Sequence, residues 1–311
     1  MACASPSGGG STTTGGTTAT SASSSQATTT GGSTGGAGAD DSTTNVTNPR
    51  ACNGHRALCD RALDEVTFAT SHNSAASTAD GFSDFNANQL HGLRRQLDDG
   101  IRGMMLDVTA FEGASWLCHG PCGLGKVLHT DALTSIGEFL GENPDEVLFI
   151  IYEDSTSAEA ISADWQAVGL ESLLFSMVPP SLGAWPTLGA MIDADTRVVV
   201  TAENGAPPPA WFHHAWELIW DTPYTFHSES EFTCDANRGT AGSGLLLVNH
   251  WVSTQADLPD ASAAASSNAY ELLLGRAEQC ASQWRHPVNL LAVDFYDTGA
   301  LLAVVDTLNG A

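Results

Sequence analysis

The sequence predicts an α/β protein built as a (β/α) barrel of the TIM type, preceded by a disordered tether. Short apolar strands alternate with helix-like stretches through residues 51–311, which indicates a parallel sheet. Several strands are continuous apolar runs, which is typical of strands buried on both faces. Polar residues follow nearly every strand at its C-terminal end, where a barrel builds its active site. A doubly wound parallel sheet remains the alternative architecture.

Residues 1–50 are predicted to form the tether, and residues 51–311 the barrel domain. Residues 4–47 consist almost entirely of Ser, Thr, Gly and Ala and contain no aromatic residue. Such a segment cannot bury enough apolar surface to offset the entropy that is lost on ordering, so we expect it to be disordered. The remaining length is typical of a single barrel domain.

The predicted strands are short apolar runs bounded by polar turns. The run Val-Leu-Phe-Ile-Ile at residues 147–151 and the run Gly-Leu-Leu-Leu-Val at residues 244–248 are typical of strands buried on both faces. In chain order, the predicted strands cover residues 66–70, 101–108, 146–152, 197–201, 215–221, 244–248 and 289–293.

The predicted helices carry apolar residues at helical spacing. Leu90, Leu93 and Leu97 define the first of them, and Asn143-Pro144 ends the second. In chain order, the predicted helices cover residues 86–99, 131–142, 158–176, 269–283 and 300–309.

The chain carries a formal net charge of −25, with 11 Lys and Arg residues against 36 Asp and Glu residues. This balance excludes nucleic acid as a partner, because neutralising phosphates requires a basic face. It also argues against electrostatic docking on anionic lipid. No apolar run approaches the ~18 residues that a membrane-spanning helix needs, so no transmembrane segment is predicted.

Six cysteines lie within the predicted domain, and an even number of them favours disulfides formed in an oxidising compartment. Their spacing suggests two short local loops and one longer bridge, although other pairings are open. A zinc site is the alternative, but the cysteines at 118 and 122 have no second pair at ligand spacing. The suggested pairs are Cys52 with Cys59, Cys118 with Cys122, and Cys234 with Cys280.

The first residues, Met1-Ala2-Cys3, resemble the region around a bacterial lipoprotein processing site. Cys3 would then be the lipidated residue, and the tether would separate the domain from the membrane. A chance cysteine is the alternative. We therefore expect a secreted protein or a cell-surface lipoprotein of bacterial origin.

Two histidines follow predicted strands at places where packing does not explain them. His72 comes just after the first strand and His119 shortly after the second, and each strand also supplies an oxygen ligand, Asn73 or Asp107. Two imidazoles beside such oxygens suit the cleavage of a phosphodiester, where one group takes a proton and another gives one. The alternative is that each is a turn histidine bonded to backbone.

A series of motifs resembles the X-domain-like phosphodiesterases of the phosphatidylinositol-specific phospholipase C type. The resemblance covers most of residues 52–309, and the motifs occur in the order that those proteins show. The matching segments are Cys52-Asn53-Gly54, Leu58-Cys59-Asp60-Arg61, Thr70-Ser71-His72-Asn73-Ser74, residues 96–108, Leu117-Cys118-His119-Gly120, residues 139–147, Ile151-Tyr152-Glu153-Asp154 and Ala292-Val293-Asp294-Phe295-Tyr296.

The resemblance implies an irregular (β/α) barrel in which His72 is the general base and His119 the general acid. A hydroxyl of the substrate head group would attack phosphorus and give a cyclic phosphodiester, which water could then open. Asp294 would orient an imidazole, by analogy with bacterial members. The alternative for Asp294 is a solvated carboxylate at the end of a strand.

The resemblance also implies a Ca²⁺ site at Asn73, Asp107 and Glu153, whose oxygens are of the type that calcium prefers. Met105 stands where a glutamate ligand is expected, two residues before Asp107, so we expect weak binding of Ca²⁺ and weaker binding of Mg²⁺. Other members use an arginine in place of the ion, and Arg102 lies near this motif but on its wrong side.

Arg102, Asn249, Trp251 and Tyr296 are the remaining candidates for substrate binding, with Trp251 stacking on a sugar-like ring or touching lipid. The expected protein is a monomeric phospholipase C-like phosphodiesterase that acts on a phospholipid head group at a peripheral membrane surface. The alternative is a catalytically weak or inactive barrel that binds lipid or glycan, which Met105 and the acidic composition favour.

Overall fold

The computed structural model describes residues 50–177 and 184–311. The predicted tether and its Cys3 lie outside the described residues, apart from residue 50. Within these ranges, helices that combine the length and the hydropathy needed to cross a bilayer are absent.

The described residues form ten strands and eight α-helices, which largely alternate along the chain. The strands are β1 Phe68–Ser71, β2 Gly103–Phe111, β3 Ala114–Leu117, β4 Val127–Leu128, β5 Leu148–Ser155, β6 Val198–Ala202, β7 Phe212–His214, β8 Ile219–Asp221, β9 Leu245–Asn249 and β10 Val288–Val293. The helices are α1 Leu93–Asp99, α2 His129–Glu142, α3 Ala158–Ala167, α4 Leu188–Asp193, α5 Ala215–Leu218, α6 Ala261–Ser267, α7 Tyr270–Trp284 and α8 Leu301–Asn309.

Eight of the strands form a curled parallel sheet in the order β7-β6-β5-β2-β1-β10-β9-β8. The two end strands, β7 and β8, do not pair with each other among the described residues, so the barrel stays open there. Strands β3 and β4 extend β2 as an antiparallel ribbon. The predicted fold class, an irregular (β/α) barrel, is confirmed.

Two apolar layers explain why the strands are continuous apolar runs. In β5, Ile150 packs in the layer between the sheet and the outer helices, whereas Phe149 and Ile151 pack inside the barrel. Side chains of successive strand residues point to opposite faces, so a strand covered on both faces needs apolar residues throughout. Each face of β5 is therefore buried by the barrel interior or by the helices.

The register of the central strands brings the polar strand ends together. Ser71 at the end of β1 pairs with Met104 of β2 and with Val293 of β10. In the next pair of strands, Asp107 of β2 lies beside Glu153 of β5. The residues that follow β1 and β10 therefore emerge at the same edge of the barrel as the two acidic residues.

Three predicted elements differ from the structure. The helix predicted at residues 158–176 ends at Ala167, because Gly169 adopts a left-handed φ of +74° and residues 171–173 form a separate 3-10 turn. The helix predicted from residue 86 begins only at Leu93, because residues 86–89 form side-chain and backbone contacts in a loop instead. The strand predicted at residues 215–221 is one helical turn, α5, followed by the three-residue strand β8. The short elements β3, β4, β7, α4 and α6 lack a strong periodic pattern, which explains why the sequence did not reveal them.

Three disulfides join the cysteines in the suggested pairs. Cys52 pairs with Cys59, Cys118 with Cys122, and Cys234 with Cys280. The Cys118–Cys122 bridge closes the short loop that carries His119. The zinc alternative for the cysteines is therefore excluded.

Two glycines give a matched test of the packing between β1 and β2. A Cβ atom at Gly103 would come within 2.1 Å of Thr70 Oγ1, whereas a Cβ at Gly141 in α2 would meet nothing within 4 Å. We expect Gly103→Ala to destabilise the domain by about 1–3 kcal/mol through overpacking. Gly141→Ala should stabilise it by about 0.5–1 kcal/mol through helix propensity. Denaturant unfolding of both variants measures the difference, and equal stabilities would contradict this account of the β1–β2 contact.

Candidate active site

A cavity of about 390 Å³ opens at the C-terminal ends of the strands. Catalytic groups of barrel enzymes gather at this end, because the loops that follow the strands surround it. Its polar lining includes His72, Asn73, Asn88, Asp107, His119, Glu153 and Asp294, together with the aromatic residues Tyr224 and Trp251. Both histidines predicted from the sequence therefore face one cavity.

His72 is held in place from three sides. Its Nδ1 lies 2.8 Å from Asp294 Oδ1, and its ring stacks on Trp251 with the centroids 3.8 Å apart and the planes 7° apart. The side-chain amide of Gln89 donates to the carbonyl oxygen of His72 at 2.7 Å. Since a carboxylate only accepts, Nδ1 carries the proton in this pair, which leaves Nε2 of the neutral ring free to accept one.

Asp294 is itself oriented by a second amide. Asn88 Nδ2 donates to Asp294 Oδ1 at 3.0 Å, and Asn88 Oδ1 accepts from Asn73 Nδ2 at 3.2 Å. Asp294 is 4% exposed, so this carboxylate is not simply solvated at a strand end. The contacts support the predicted orienting role of Asp294.

His119 is held by a backbone carbonyl instead of a carboxylate. Its Nδ1 lies 2.9 Å from the carbonyl oxygen of Asn86, and Asn86 Nδ2 donates to the carbonyl oxygen of His119 at 2.7 Å. Burial lowers the pKa of His119 and the nearby His72 lowers it further, while the Asn86 carbonyl partly offsets both effects. His119 therefore gives up a proton more readily than an ordinary histidine.

The acidic residues Asp107 and Glu153 lie side by side below the histidines, as their pairing in β2 and β5 requires. Burial, and then the charges of Glu153 and Glu203, raise the pKa of Asp107 well above its ordinary value. Asn73 completes this group with a backbone φ of +43°, a left-handed conformation that asparagine tolerates better than most residues.

The donor chemistry of Asn73, Asp107 and Glu153 fits a hard divalent cation, because carboxylate and amide oxygens are the ligands that calcium prefers. The Asn73 amide nitrogen is engaged by Asn88, so its oxygen is the atom left to coordinate. Among the described residues, however, no group of three or more His, Cys, Asp and Glu residues converges as a closed metal site. Protein atoms would therefore supply only part of a calcium shell.

A second cavity of about 230 Å³ adjoins the first and contains a charged network that the sequence motifs did not indicate. Arg238 Nη1 donates to Glu203 at 3.0 Å, and Arg238 Nη2 donates to the buried Asp221 at 2.6 Å. The guanidinium also lies over the rings of Trp216 and Tyr224, at 4.0 and 4.6 Å from their centroids.

Burial raises the pKa of Glu203 to about 7, and neighbouring acidic residues, with Glu153 first, raise it as well, while Arg238 opposes them. In the sequence, Glu203 and Asp221 could be noticed only as polar residues at the C-terminal ends of predicted strands. Arg238 lies in a long loop and had no such signal.

Three residues predicted to bind substrate lie away from both cavities, which corrects their prediction. Arg102 precedes β2 at the opposite end of the barrel, where it bonds Glu146 at 2.6 Å and packs over Phe139. Asn249 is fully buried and donates to Asp221 and to the carbonyl of Thr222. These contacts reinforce the barrel wall.

Tyr296 is the third such residue. Its hydroxyl donates to Asp99 Oδ2 at 2.7 Å, and its backbone amide donates to Gln89 Oε1. It therefore joins the end of β10 to α1. Of the four residues predicted to bind substrate, only Trp251 lines the cavities.

Comparison with known proteins gives a consistent result. The family model described as PI-PLC X 1 matches residues 58–309. Among curated relatives, an uncharacterized secreted protein of Arthroderma benhamiae is 26% identical over 278 residues, which cover 81% of this chain and 62% of that protein. PI-PLC X domain-containing protein 1 of the same fungus is 28% identical over 280 residues, which cover 83% of this chain and 89% of that protein.

A PI-PLC X domain-containing protein of Arabidopsis thaliana is 27% identical over 277 residues, which cover 80% of this chain and 62% of that protein. This chain thus spans less than two thirds of the length of two of the three relatives. These relatives are fungal and plant proteins, so they do not support the expected bacterial origin.

Solved structures agree at the level of the fold. Phosphatidylinositol-specific phospholipase C from Listeria monocytogenes aligns with a TM-score of 0.54 at 15% identity, covering 82% of this chain and 97% of that chain. A mutant of the Staphylococcus aureus phosphatidylinositol-specific phospholipase C aligns with a TM-score of 0.55 at 12% identity. The alignment covers 79% of this chain and 94% of that chain. From the match to residues 58–309 and the shared barrel, we conclude that this chain belongs to the PI-PLC X domain family.

Proposed function

We propose that this protein is a phosphoric diester hydrolase of the phosphatidylinositol phospholipase C type. One observation carries the proposal: His72 and His119 line the same cavity, and each has its Nδ1 next to an acceptor. Each ring therefore has Nε2 left to exchange a proton with a bound substrate. Two such imidazoles on one cavity suit a displacement at phosphorus, which needs a base and an acid.

In the first step, a hydroxyl of the head group attacks the phosphorus of the same phosphodiester. His72 Nε2 takes the proton from that hydroxyl as the new phosphorus–oxygen bond forms. The bond from phosphorus to the lipid oxygen breaks, and His119 gives its proton to the leaving alkoxide. The product is a cyclic phosphodiester, which water opens when the two histidines exchange roles.

We propose that Asn73, Asp107 and Glu153 bind a divalent cation weakly, Ca²⁺ more tightly than Mg²⁺. The cation supplies positive charge against the phosphate when it is bound. Two features support weak binding: few protein ligands face the site, and Met105 stands where relatives are expected to carry a glutamate. The acidic pair Asp107 and Glu153 supports the need for a cation at this position.

The side chains that line the second cavity suit a head group that carries several hydroxyl groups. Glu203 and Arg238 present hydrogen-bond acceptors and donors, and Tyr224 and Trp251 present aromatic faces beside them. Such a set suits a ring that carries several hydroxyl groups. Arg238 is engaged by two carboxylates, so it offers little charge for further phosphates, and a singly phosphorylated head group fits best.

We infer that the cavity mouth approaches an uncharged or zwitterionic lipid surface. Phe85 is 54% exposed, and its chain neighbour Asn86 contacts His119 at the cavity, so the Phe85 ring lies near the mouth. A net charge of −25 disfavours anionic lipid. Three disulfides and a relative named as a secreted protein support an extracellular setting.

His72→Ala and His119→Ala should each lower the release of inositol phosphate from phosphatidylinositol by roughly 10²–10⁴-fold, because each removes a proton-transfer group. Phosphorus-NMR of the products, with and without a chelator, measures the release. His286→Ala is the matched control, because that ring hydrogen-bonds the adjacent Pro287 carbonyl and lies outside the cavity. Binding of the lipid without turnover by the wild type would favour the alternative, a lipid- or glycan-binding module.

Calorimetric titration with Ca²⁺ tests the proposed ligands directly. We expect a dissociation constant of about 10⁻⁴–10⁻³ M for the wild type, by comparison with extracellular calcium modules. Asp107→Asn should abolish the binding heat, whereas Asp145→Asn should leave it unchanged, because Asp145 pairs with Arg50 and lies outside both cavities. Met105→Glu should tighten binding about tenfold, or ~1.4 kcal/mol. Equal heats from wild type and Asp107→Asn would refute the site.

Replacing Phe85 tests the lipid-facing mouth. Phe85→Ser should weaken binding to phosphatidylcholine vesicles about tenfold, because the ring loses part of the ~1.5–3 kcal/mol that burying it contributes. Phe85→Leu should retain most of the affinity. Vesicle sedimentation measures both, and we expect added phosphatidylserine to weaken binding because of the negative charge of the protein. Equal binding of wild type and Phe85→Ser would rule out this residue as a lipid contact.

A further inference from the structure

The loop between β1 and α1 reaches three parts of the candidate active site. Asn86, Asn88 and Gln89 in this loop are 5%, 2% and 0% exposed, although the loop itself lies at the rim of the barrel. Asn88 contacts Asp294, Gln89 contacts the carbonyl of His72, and Asn86 contacts His119. Burial of three amide side chains in one loop calls for specific partners, because an unpaired buried amide is costly.

We propose that Asn86 is the positioning residue of His119 and fixes its neutral ring in the Nδ1–H form, with Nε2 left to exchange protons in the cavity. No family motif identified in the sequence includes Asn86. The catalytic meaning of this arrangement rests on the proposed phosphodiesterase function. The arrangement itself is a property of the folded protein that is measured without turnover.

Two reciprocal hydrogen bonds carry the argument. The ring of His119 donates from Nδ1 to the carbonyl oxygen of Asn86 at 2.9 Å, and Asn86 Nδ2 donates to the carbonyl oxygen of His119 at 2.7 Å. The first bond orients the ring, and the second holds the two backbones at the distance that the first requires. A carbonyl oxygen only accepts, so this pair selects the tautomer with the proton on Nδ1.

The backbone of Asn86 is in turn held through its amide by the rest of the loop. The amide of Asn86 donates to the carbonyl of Ser83 at 2.8 Å, and the amide of Ser83 donates to the carbonyl of Leu124 at 3.1 Å. Phe82 packs so closely on Gly125 that a Cβ there would come within 2.3 Å of its ring. The loop is therefore fastened to the segment that contains His119 and the Cys118–Cys122 disulfide.

The two histidines thus have different partners for the same nitrogen. His72 has the carboxylate of Asp294 at Nδ1, whereas His119 has the neutral carbonyl of Asn86. A carbonyl on Nδ1, as in His119, fixes the tautomer and raises the pKa of the ring less than burial lowers it. This difference fits a general acid, which must release its proton to the leaving alkoxide.

The charges that surround His119 do not replace the role of Asn86. His72 faces the ring and lowers its pKa, whereas Asp294 and Glu153 raise it, and Asp107 and Asp257 also line the cavity. Burial has the largest effect and lowers the pKa of His119, and the Asn86 carbonyl is the first group that opposes it. Loss of the Asn86 contact therefore lowers the pKa of His119 further.

Nitrogen-15 NMR of histidine-labelled protein tests the proposal. In the wild type, neutral His119 should carry its proton on Nδ1. In Asn86→Ala the ring should populate both tautomers, and its titration midpoint should move to lower pH. Neutral His119 with its proton on Nε2 in the wild type would overturn the proposal, and this measurement needs no variant.

Kinetics and a matched control separate positioning from a general loss of stability. Asn86→Ala should lower kcat by about 10–100-fold with little change in KM, as expected for a group that orients another. Asn143→Ala is the control, because Asn143 Nδ2 also donates to a backbone carbonyl, that of Phe139 at the end of α2. It should change neither the His119 tautomer nor kcat.

An unaltered tautomer and titration in folded Asn86→Ala would also overturn the proposal. If Asn86→Ala does not fold, Asn86→Ser takes its place, because serine keeps a short donor, and a smaller shift in the same direction is expected. A protein without phosphodiesterase activity would refute the proposed function alone, since the tautomer is measured independently of turnover.

Discussion

The parallel register of β10, β1 and β2 is the constraint on which the site depends. Because Ser71 pairs with both Val293 and Met104, the residues that follow β1 and β10 leave the sheet at the same height. His72 and Asp294 are those residues, and their 2.8 Å contact follows from the register. A slip by one residue would turn every side chain of β1 to the opposite face and separate the pair.

The loop after β1 converts this register into a site with two histidines. His119 follows the antiparallel ribbon of β3 and cannot be placed by the parallel strands alone. Asn86 connects it to the loop, and Asn88 and Gln89 connect the same loop to Asp294 and His72. One buried polar network therefore sets the distance between the proposed base and acid.

The barrel and the residues at its strand ends could be predicted from the sequence, because both depend on patterns among residues that are close together in the chain. An apolar run indicates a strand that is buried on both faces, and a polar residue just after such a run indicates the exposed end of that strand. His72, Asp107, Glu153 and Asp294 were found in this way and line one cavity. The short spacings suggested the Cys52–Cys59 and Cys118–Cys122 disulfides, and Cys234 with Cys280 was the pair that remained.

The site residues that the sequence did not reveal owe their positions to contacts with segments far away in the chain. Asn86 and Asn88 occur in a segment whose leucine spacing suggested a helix, and only the position of the loop against residues 118–125 explains them. Arg238 acts through Glu203 and Asp221, which come from two other strand ends. Arg102 was misplaced for the converse reason, because its motif fixes the start of a strand whereas the site lies at the strand's other end.

Acidic residues line both adjoining cavities, but they differ in whether a basic side chain pairs with them. Arg238 pairs with both Glu203 and Asp221, so one positive charge faces two carboxylates in the second cavity. Among the described residues, Asp107 and Glu153 form no ion pair with a basic side chain, and burial, followed by the charge of Glu153, raises the pKa of Asp107. The charges of these two acidic residues oppose the approach of a phosphate, unless positive charge offsets them. The proposed divalent cation would supply that charge. Met105 adds no carboxylate to the proposed ligands, so we expect the strength of cation binding to depend on this single position in β2.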